Sequence, residues 1–292
     1  MGKKRILTVM LMGLMVLGYA EDSGELDRYD IPYKNEKQLD VDLDFSFGSL
    51  NIRPSVSDDF IMRAGMTYSR KDLKPSIIYR QTGNRGKLAL GTTGNHVDIS
   101  LKEFNKMKED SESNTWRLEF IKSIPTNFDL EFGAGEGNLD MSGMTVETME
   151  MELAMGDVQL YFNQPNQTKM KKMSIETGLG SFEARGLGNA NISDFALECG
   201  LGSSYLVFDG NANGQIKADV SVGLGSVNIE ISRDIAVEIR SESSFLSSVD
   251  FEDFDKIGNG LYRSPNWGTH TKARMFLDIT VGMGSANVSW IE

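Results

Sequence analysis

One ten-residue phrase recurs seven times along this chain and leaves few folds open to it. The copies are L-D-F-S-F-G-S-L-N-I from Leu43, L-E-F-G-A-G-E-G-N-L from Leu130, M-E-L-A-M-G-D-V-Q-L from Met151, I-E-T-G-L-G-S-F-E-A from Ile175, L-E-C-G-L-G-S-S-Y-L from Leu197, V-S-V-G-L-G-S-V-N-I from Val220 and I-T-V-G-M-G-S-A-N-V from Ile279. Their starts lie 87, 21, 24, 22, 23 and 59 residues apart, and the four consecutive gaps near 22 define a solenoid period, too long for a hairpin. Inside each copy the apolar residues alternate and then change parity at the second glycine: Val220, Val222 and Leu224 are followed by Val227, Ile229 and Ile231. Alternation of period two places one row of side chains inward, so a parity change that keeps the row inward requires a bend, here at Gly225-Ser226. The unit is strand, corner, strand.

These units predict an all-β chain: a single-stranded right-handed parallel β-helix with rungs of about 22 residues stacked about 4.8 Å apart, preceded by a β-rich module. The predicted corner glycines are Gly135, Gly156, Gly180, Gly202, Gly225 and Gly284, where glycine takes φ > 0 at no steric cost and lets neighbouring backbones approach. The serine that follows (Ser49, Ser181, Ser203, Ser226, Ser285) is expected to bond a backbone group left unpaired by the turn. Leucine-rich repeats share the period but not the leucine spacing, and no calcium-binding G-G-x-G-x-D series occurs.

Composition narrows the class further. Thirty glycines with only 6 prolines and one cysteine exclude collagen, proline-rich linkers and disulfide scaffolds. A formal charge of −12 argues against nucleic acid, which needs a basic face. The first twenty residues read as a signal peptide: Lys3, Lys4 and Arg5 form the basic region, Ile6 to Leu17 the apolar run, and Gly18 and Ala20 the small residues before the cut. Retention as a membrane anchor is the alternative, weakened by an apolar run shorter than the roughly 20 residues of a spanning helix. Loss of the three leader cations takes the charge from −12 to −15. The expectation is an extracytoplasmic protein, periplasmic or secreted, with no integral membrane segment after cleavage.

The G-L-G-S and G-A-G-E-G corners, the run Trp116 to Phe120 leading into Ile124-Pro125, and the segment Phe254 to Pro265 resemble the toast-rack domain. That family occurs in LiaF-like proteins of the bacterial cell-wall-antibiotic response and in many exported proteins. The resemblance covers residues 115 to 292, and residues 24 to 114 resemble the N-terminal module that accompanies the domain. It implies the fold; a LiaF-like regulatory role is one implication for function. The expected organisation is signal peptide 1–20, N-terminal module 21–114 and β-helix domain 115–292 with an insertion at 233–275.

Within the module, strands are expected at Val41 to Ile52, Phe60 to Tyr68, Ser76 to Gln81, Lys87 to Leu90 and His96 to Leu101, followed by a polar connection from Lys102 to Asn114. At the other end the chain stops just after Ala286 to Trp290. A cover for that last rung is expected from the 59-residue interval, where Gly258-Asn259-Gly260 predicts a protruding hairpin, or from a second molecule.

No catalytic constellation stands out, and neither an enzyme nor a cofactor is expected. Cys199 falls in a column with Phe45, Phe132, Leu153, Thr177, Val222 and Val281, so it reads as a buried structural thiol. His96 and His270 have no short-range partner, and the G-x-G phrases are followed by strands, unlike nucleotide fingerprints. Glu131, Glu152, Glu176 and Glu198 share the outward column of four consecutive rungs, which prompts a divalent-cation strip or acidic docking face against the plain reading of a solvated surface. Asn51, Asn138, Gln159, Asn228 and Asn287 share a second outward column and predict an amide ladder. Tyr262, Arg263, Trp267 and Trp290 are the candidate partner contacts, since aromatic and arginine groups dominate interface anchors, with packing back on the coil as the alternative. The sequence therefore favours an exported, non-enzymatic interaction or structural module of the bacterial envelope, engaging a protein partner or itself through the C-terminal rung or the 254–267 hairpin. A carbohydrate-binding or carbohydrate-active β-helix and a LiaF-like sensor are the alternatives.

Overall fold

The structure is a computed structural model and describes residues 26–68, 73–92, 114–243, 246–269 and 271–291. The leader, the predicted strand at His96 to Leu101, the polar connection up to residue 113 and both histidines lie outside these residues.

The described chain is all-β, nineteen strands in one large sheet. In chain order they are β1 (Asp27–Pro32), β2 (Gln38–Pro54), β3 (Phe60–Tyr68), β4 (Pro75–Thr82), β5 (Arg85–Thr92), β6 (Asn114–Phe120), β7 (Thr126–Asp140), β8 (Val146–Tyr161), β9 (Met170–Arg185), β10 (Ile192–Cys199), β11 (Ser203–Phe208), β12 (Gly214–Val222), β13 (Ser226–Ile231), β14 (Ile235–Ser243), β15 (Ser248–Phe251), β16 (Asp255–Gly258), β17 (Leu261–Arg263), β18 (Ala273–Val281) and β19 (Ser285–Trp290).

The seven phrases pair in parallel, residue on residue. Leu43 lies beside Leu130, Leu130 beside Met151, Met151 beside Ile175, Ile175 beside Leu197, Leu197 beside Val220 and Val220 beside Ile279. The inward rows before and after each corner join one core that runs from Leu39 in β2 to Trp290 in β19, because a parallel stack repeats the same buried face at every layer.

The two long intervals each hold a further layer laid down out of chain order. After β2, the chain forms β5 and β6 on its far side and only then returns as β7 on the near side. After β13, it forms β14 and β15 first, and β18 and β19 then insert between them and β12 and β13. The final strand is therefore not an open end, and the 233–275 segment supplies the outermost layer at that end. Its hairpin does not protrude: β17 runs antiparallel along β14, pairing Arg263 with Glu238 and Leu261 with Arg240. At the opposite end β3 covers β6 and β4 covers β5, both antiparallel. Antiparallel strands occupy backbone groups that would otherwise template another chain.

The corner glycines divide into two sets. Gly48, Gly135, Gly156 and Gly180 sit at φ of +117° to +135° inside unbroken strands, as expected. Gly202, Gly225 and Gly284 do not adopt positive φ; there the strand breaks, and glycine is required by proximity alone. A Cβ at Gly225 would stand 2.2 Å from the carbonyl oxygen of Gly202, and one at Gly284 2.1 Å from that of Gly225. The ladder stays closed through these breaks, with the N–H of Ser226 donating to Gly202 and that of Ser285 to Gly225, each at 3.1 Å. The serine hydroxyls do not serve the backbone as expected: Ser181 Oγ bonds Asp157 of the layer before, and Ser49 Oγ accepts from Asn51.

A candidate binding groove along the corner

The glutamate column forms as predicted and is longer than predicted. Asp44, Glu131, Glu152, Glu176 and Glu198 stand side by side in five successive layers, followed by Ser221, Thr280 and Glu242. Two residues earlier on the same face, Asp42, Asp129 and Glu150 form a second acidic file. At a strand spacing of about 4.8 Å, neighbouring charges repel by about 0.9 kcal/mol even in bulk water. Burial, then Asp44, Glu152 and Asp129, push the Glu131 carboxyl above its ordinary range. Asp129 is raised likewise, by burial and then by Asp42, Glu150 and Glu152. Relief comes from the periphery: Lys172 Nζ reaches Glu150 at 2.8 Å. Among the described residues no three His, Cys, Asp or Glu side chains converge as a metal ion would require.

Beside the glutamates runs a file without large side chains, Ser46, Gly133, Ala154, Gly178, Gly200, Gly223 and Gly282. Beyond it, at the apex of each corner, stands one apolar residue between the two glycine positions. Phe47, Ala134 and Met155 pack together at one end, the first two buried. The next four layers present Leu179, Leu201, Leu224 and Met283 to solvent, and Leu246 in the link between β14 and β15 is exposed as well, all at 45 to 57 %. Alternation placed Leu224 inward with Val220 and Val222; the bend instead turns it out, because the apex residue lies on the convex side of the corner. A groove of about 1000 Å³ runs along the acidic column and the file of small residues, with Ala134 and Met155 at one end; the exposed apex residues do not line it. No residue of the 233–275 segment lines it. Cys199 lies beneath the floor, buried, its thiol 3.5 Å from the carbonyl of Gly202.

The ridge was the feature that sequence reasoning missed, although its signal was present: an apolar residue between the two glycine positions in every copy. The predicted partner residues are engaged within the protein. Trp290 is only 8 % exposed and stacks on Phe254 at 4.8 Å, so it does not face a partner from an open rung. Tyr262 packs on Phe251, and Arg263 binds Glu238 at 2.6 Å. Trp267 meets the Phe276 ring edge-on, with the Arg263 and Arg274 guanidinium groups 5.1 and 5.4 Å from its ring. The amide column aligns, but its members do not bond rung to rung. Glu183 and Tyr205 interrupt it, and the amides bond along their own strands, Asn51 to Ser49 and Gln159 to Tyr161.

Stacked parallel strands with glycine corners and a lengthwise groove define an all-β protein built from one recurring unit. The family described as the N-terminal domain of toast_rack (DUF2154) matches residues 20–185, more than half of the chain. The chain belongs to the toast-rack family. The match begins in the N-terminal region and ends with β9, so it spans the expected module boundary at 114. Comparison with curated proteins finds no match. Among solved structures, a candidate cell adhesion protein from Clostridium sporogenes is similar at 18 % identity, covering 91 % of this chain and 99 % of that one with a TM-score of 0.47. A candidate adhesin from Bacteroides fragilis follows at 12 % identity, 92 % and 99 % coverage and TM-score 0.38. A candidate lipid binding protein from Parabacteroides distasonis shows 9 % identity, 92 % and 98 % coverage and TM-score 0.31.

Proposed function

We propose that this protein is an exported, non-enzymatic interaction module of the bacterial envelope, and that its binding face is the apolar ridge along the corner. The protein would be a single-stranded right-handed parallel β-helix, a reading supported by the parallel, in-register pairing of the phrases. Export rests on the signal-like leader. The observation that carries the binding role is the ridge: Leu179, Leu201, Leu224 and Met283, large apolar side chains exposed at the same position of four adjacent layers, form an apolar patch, and such patches mark interaction sites. The earlier candidates at the C-terminal end support the cap instead. A non-enzymatic reading is favoured by the arrangement of the carboxylates, which stand in one straight file along a single face. Glycoside hydrolysis needs two of them placed on either side of the scissile bond.

A photo-reactive phenylalanine analogue at position 201, in the protein expressed in its native cells, tests the reading. The expected result is a discrete protein adduct that disappears when Leu224→Asp is added, with no adduct from the same group at Val56, which is 93 % exposed away from the groove. No adduct from position 201, or the same adduct from both positions, refutes it.

A further inference from the structure

We infer that the ridge pairs with the ridge of a second copy of this chain, the two related by a two-fold axis parallel to the stack; this names the partner of the binding face proposed above and rests on it. The first ground is shape. Every exposed apex residue stands between two glycines: Gly178-Leu179-Gly180, Gly200-Leu201-Gly202, Gly223-Leu224-Gly225 and Gly282-Met283-Gly284. The ridge is therefore one side chain wide and is bordered along its length by backbone that carries no side chain. A second ridge of the same kind can lie beside the first, over its glycine file, while the first lies over the glycine file of the second. Such an interface is self-complementary, as a two-fold requires.

The second ground is register. The apex layers are hydrogen-bonded in succession: Leu201 N–H donates to the Gly178 carbonyl at 3.0 Å, Leu224 N–H to Gly200 at 2.9 Å and Met283 N–H to Gly223 at 2.9 Å. The four side chains thus recur with the strand spacing of about 4.8 Å. An identical ridge has the identical spacing, and with the axis parallel to the stack each layer meets its own counterpart, so all four apolar contacts form together. An extended segment laid along the ridge repeats its facing side chains every 6.4 to 6.8 Å or so and loses step within two layers. A helix, at about 5.4 Å per turn, drifts by about 2 Å across the four.

The third ground is charge. The chain is strongly acidic, so a second copy fits only where like charges stay apart. The carboxylates nearest the ridge, Glu176 and Glu198, lie three residues before Leu179 and Leu201, on one side of it. On the other side, two residues after each apex, stand the uncharged Ser181, Ser203, Ser226 and Ser285. With the axis parallel to the stack, the glutamate side of one copy meets the serine side of the other. An axis across the ridge instead sets the ridges tip to tip, leaves the glycine files bare, and places Glu152 of each copy opposite Glu242 of the other.

Area sets the strength of the pairing. Four half-exposed apex side chains make a patch of about 400 Å², within the range of the largest apolar patches on monomers. Two such patches with their bordering files bury on the order of 1,000 Å², the low end for a specific interface, so the dimer is weak, with dissociation in the micromolar range. An anionic lipid surface fits less well, because Glu176 and Glu198 stand beside the ridge and would meet the headgroups.

The test is analytical ultracentrifugation of the mature chain across the micromolar range, at low and high salt, joined to cysteine cross-linking. We expect a monomer–dimer equilibrium that tightens as salt screens the two acidic copies and weakens about tenfold or more in Leu201→Asp or Leu224→Asp. Both positions are solvent-exposed, and unchanged melting of each variant shows that it folds. Leu179→Cys, Leu201→Cys and Met283→Cys should each give cross-linked dimers with a short bismaleimide, and a mixture of Leu179→Cys with Met283→Cys should give only like pairs. The parent chain, whose Cys199 is buried, and Val56→Cys, at a position 93 % exposed, should give none. A chain that stays monomeric, dimers unchanged in the folded ridge variants, or mixed Leu179→Cys with Met283→Cys products in place of like pairs overturn the inference. Ridge-dependent binding of a monomeric chain to vesicles containing phosphatidylglycerol overturns it in favour of a lipid surface. If position 201 captures a different protein in cells while the purified chain stays monomeric, the binding role stands and only the self-pairing falls.

Discussion

Replacing Gly180 by alanine is expected to destabilise the protein by about 2 to 5 kcal/mol, and the structure divides that cost into two parts. The backbone at Gly180 has φ = +117°, a conformation that costs a side-chain-bearing residue about 1 to 3 kcal/mol. The new Cβ would also stand 2.0 Å from the carbonyl oxygen of Gly156. Because that atom belongs to the next layer's backbone, relief requires two layers to part, comparable to overpacking a core at about 1 to 3 kcal/mol. Alanine also lowers the entropy of the unfolded chain, which returns about 0.4 to 1 kcal/mol. Two companion variants separate the parts. Gly225→Ala carries the steric clash without positive φ, and Gly214→Ala carries φ = +76° with nothing within 4 Å of the new carbon. Urea and thermal unfolding of all three should place Gly180→Ala lowest, with its melting point down by ~5 to 15 °C, and Gly214→Ala within about 1 kcal/mol of the parent protein. A Gly180→Ala protein no less stable than Gly214→Ala would refute the claim that layer-to-layer contact fixes the corner glycines.

Two further outcomes follow from buried polar groups. Asn166 is 5 % exposed and ties neighbouring turns together: its Oδ1 accepts from Val146 N–H, and its Nδ2 donates to the carbonyls of Val146, Thr168 and Ala190. Asn166→Ala strands these backbone groups and should cost about 2 to 4 kcal/mol in chemical denaturation, whereas a loss below 0.5 kcal/mol would show that the turns hold without it. Glu131→Gln should raise the melting point at neutral pH. Its folded pKa is raised, so the ionised carboxyl opposes folding above that pKa, and the penalty disappears as pH falls through it. The variant should therefore gain at pH 7 and lose that advantage near pH 4; a uniform shift at both values would contradict the electrostatic cause.

Most strands were legible because alternation survives in them. Phe60–Tyr68 matches its predicted span, and β2, β4, β5 and β19 extend theirs by three residues or fewer at each end. What escaped notice were the layers β5/β6 and β14/β15. Neither carries the glycine corner: Thr92 and Asn114 are separated by 21 intervening residues, and the chain from Ser243 to Ser248 contains no glycine. A repeat search keyed to the corner passes over both, so the order of layers along the axis could not be read from the order of copies. The acidic column was visible, since its members share one offset from the corner glycine. The ridge shares such an offset too, but the two-residue period assigned Leu224 to the core, and a period says nothing about which side of a bend its apex faces.

The out-of-order layers and the ridge have a common basis in how the stack ends. A parallel stack assembled strictly in chain order would leave its last strand as an open edge. Here β18 and β19 arrive last and occupy an inner position, bonded on one side to β12 and β13 and on the other to β14 and β15. The outermost layer is closed in turn by β17, and at the far end by β3 and β4. Trp290 and Phe254 stack on each other at this closure, with Trp290 buried. The large apolar side chains left exposed at matching positions are instead lateral, Leu179, Leu201, Leu224 and Met283, where the glycine corner repeats in four successive layers.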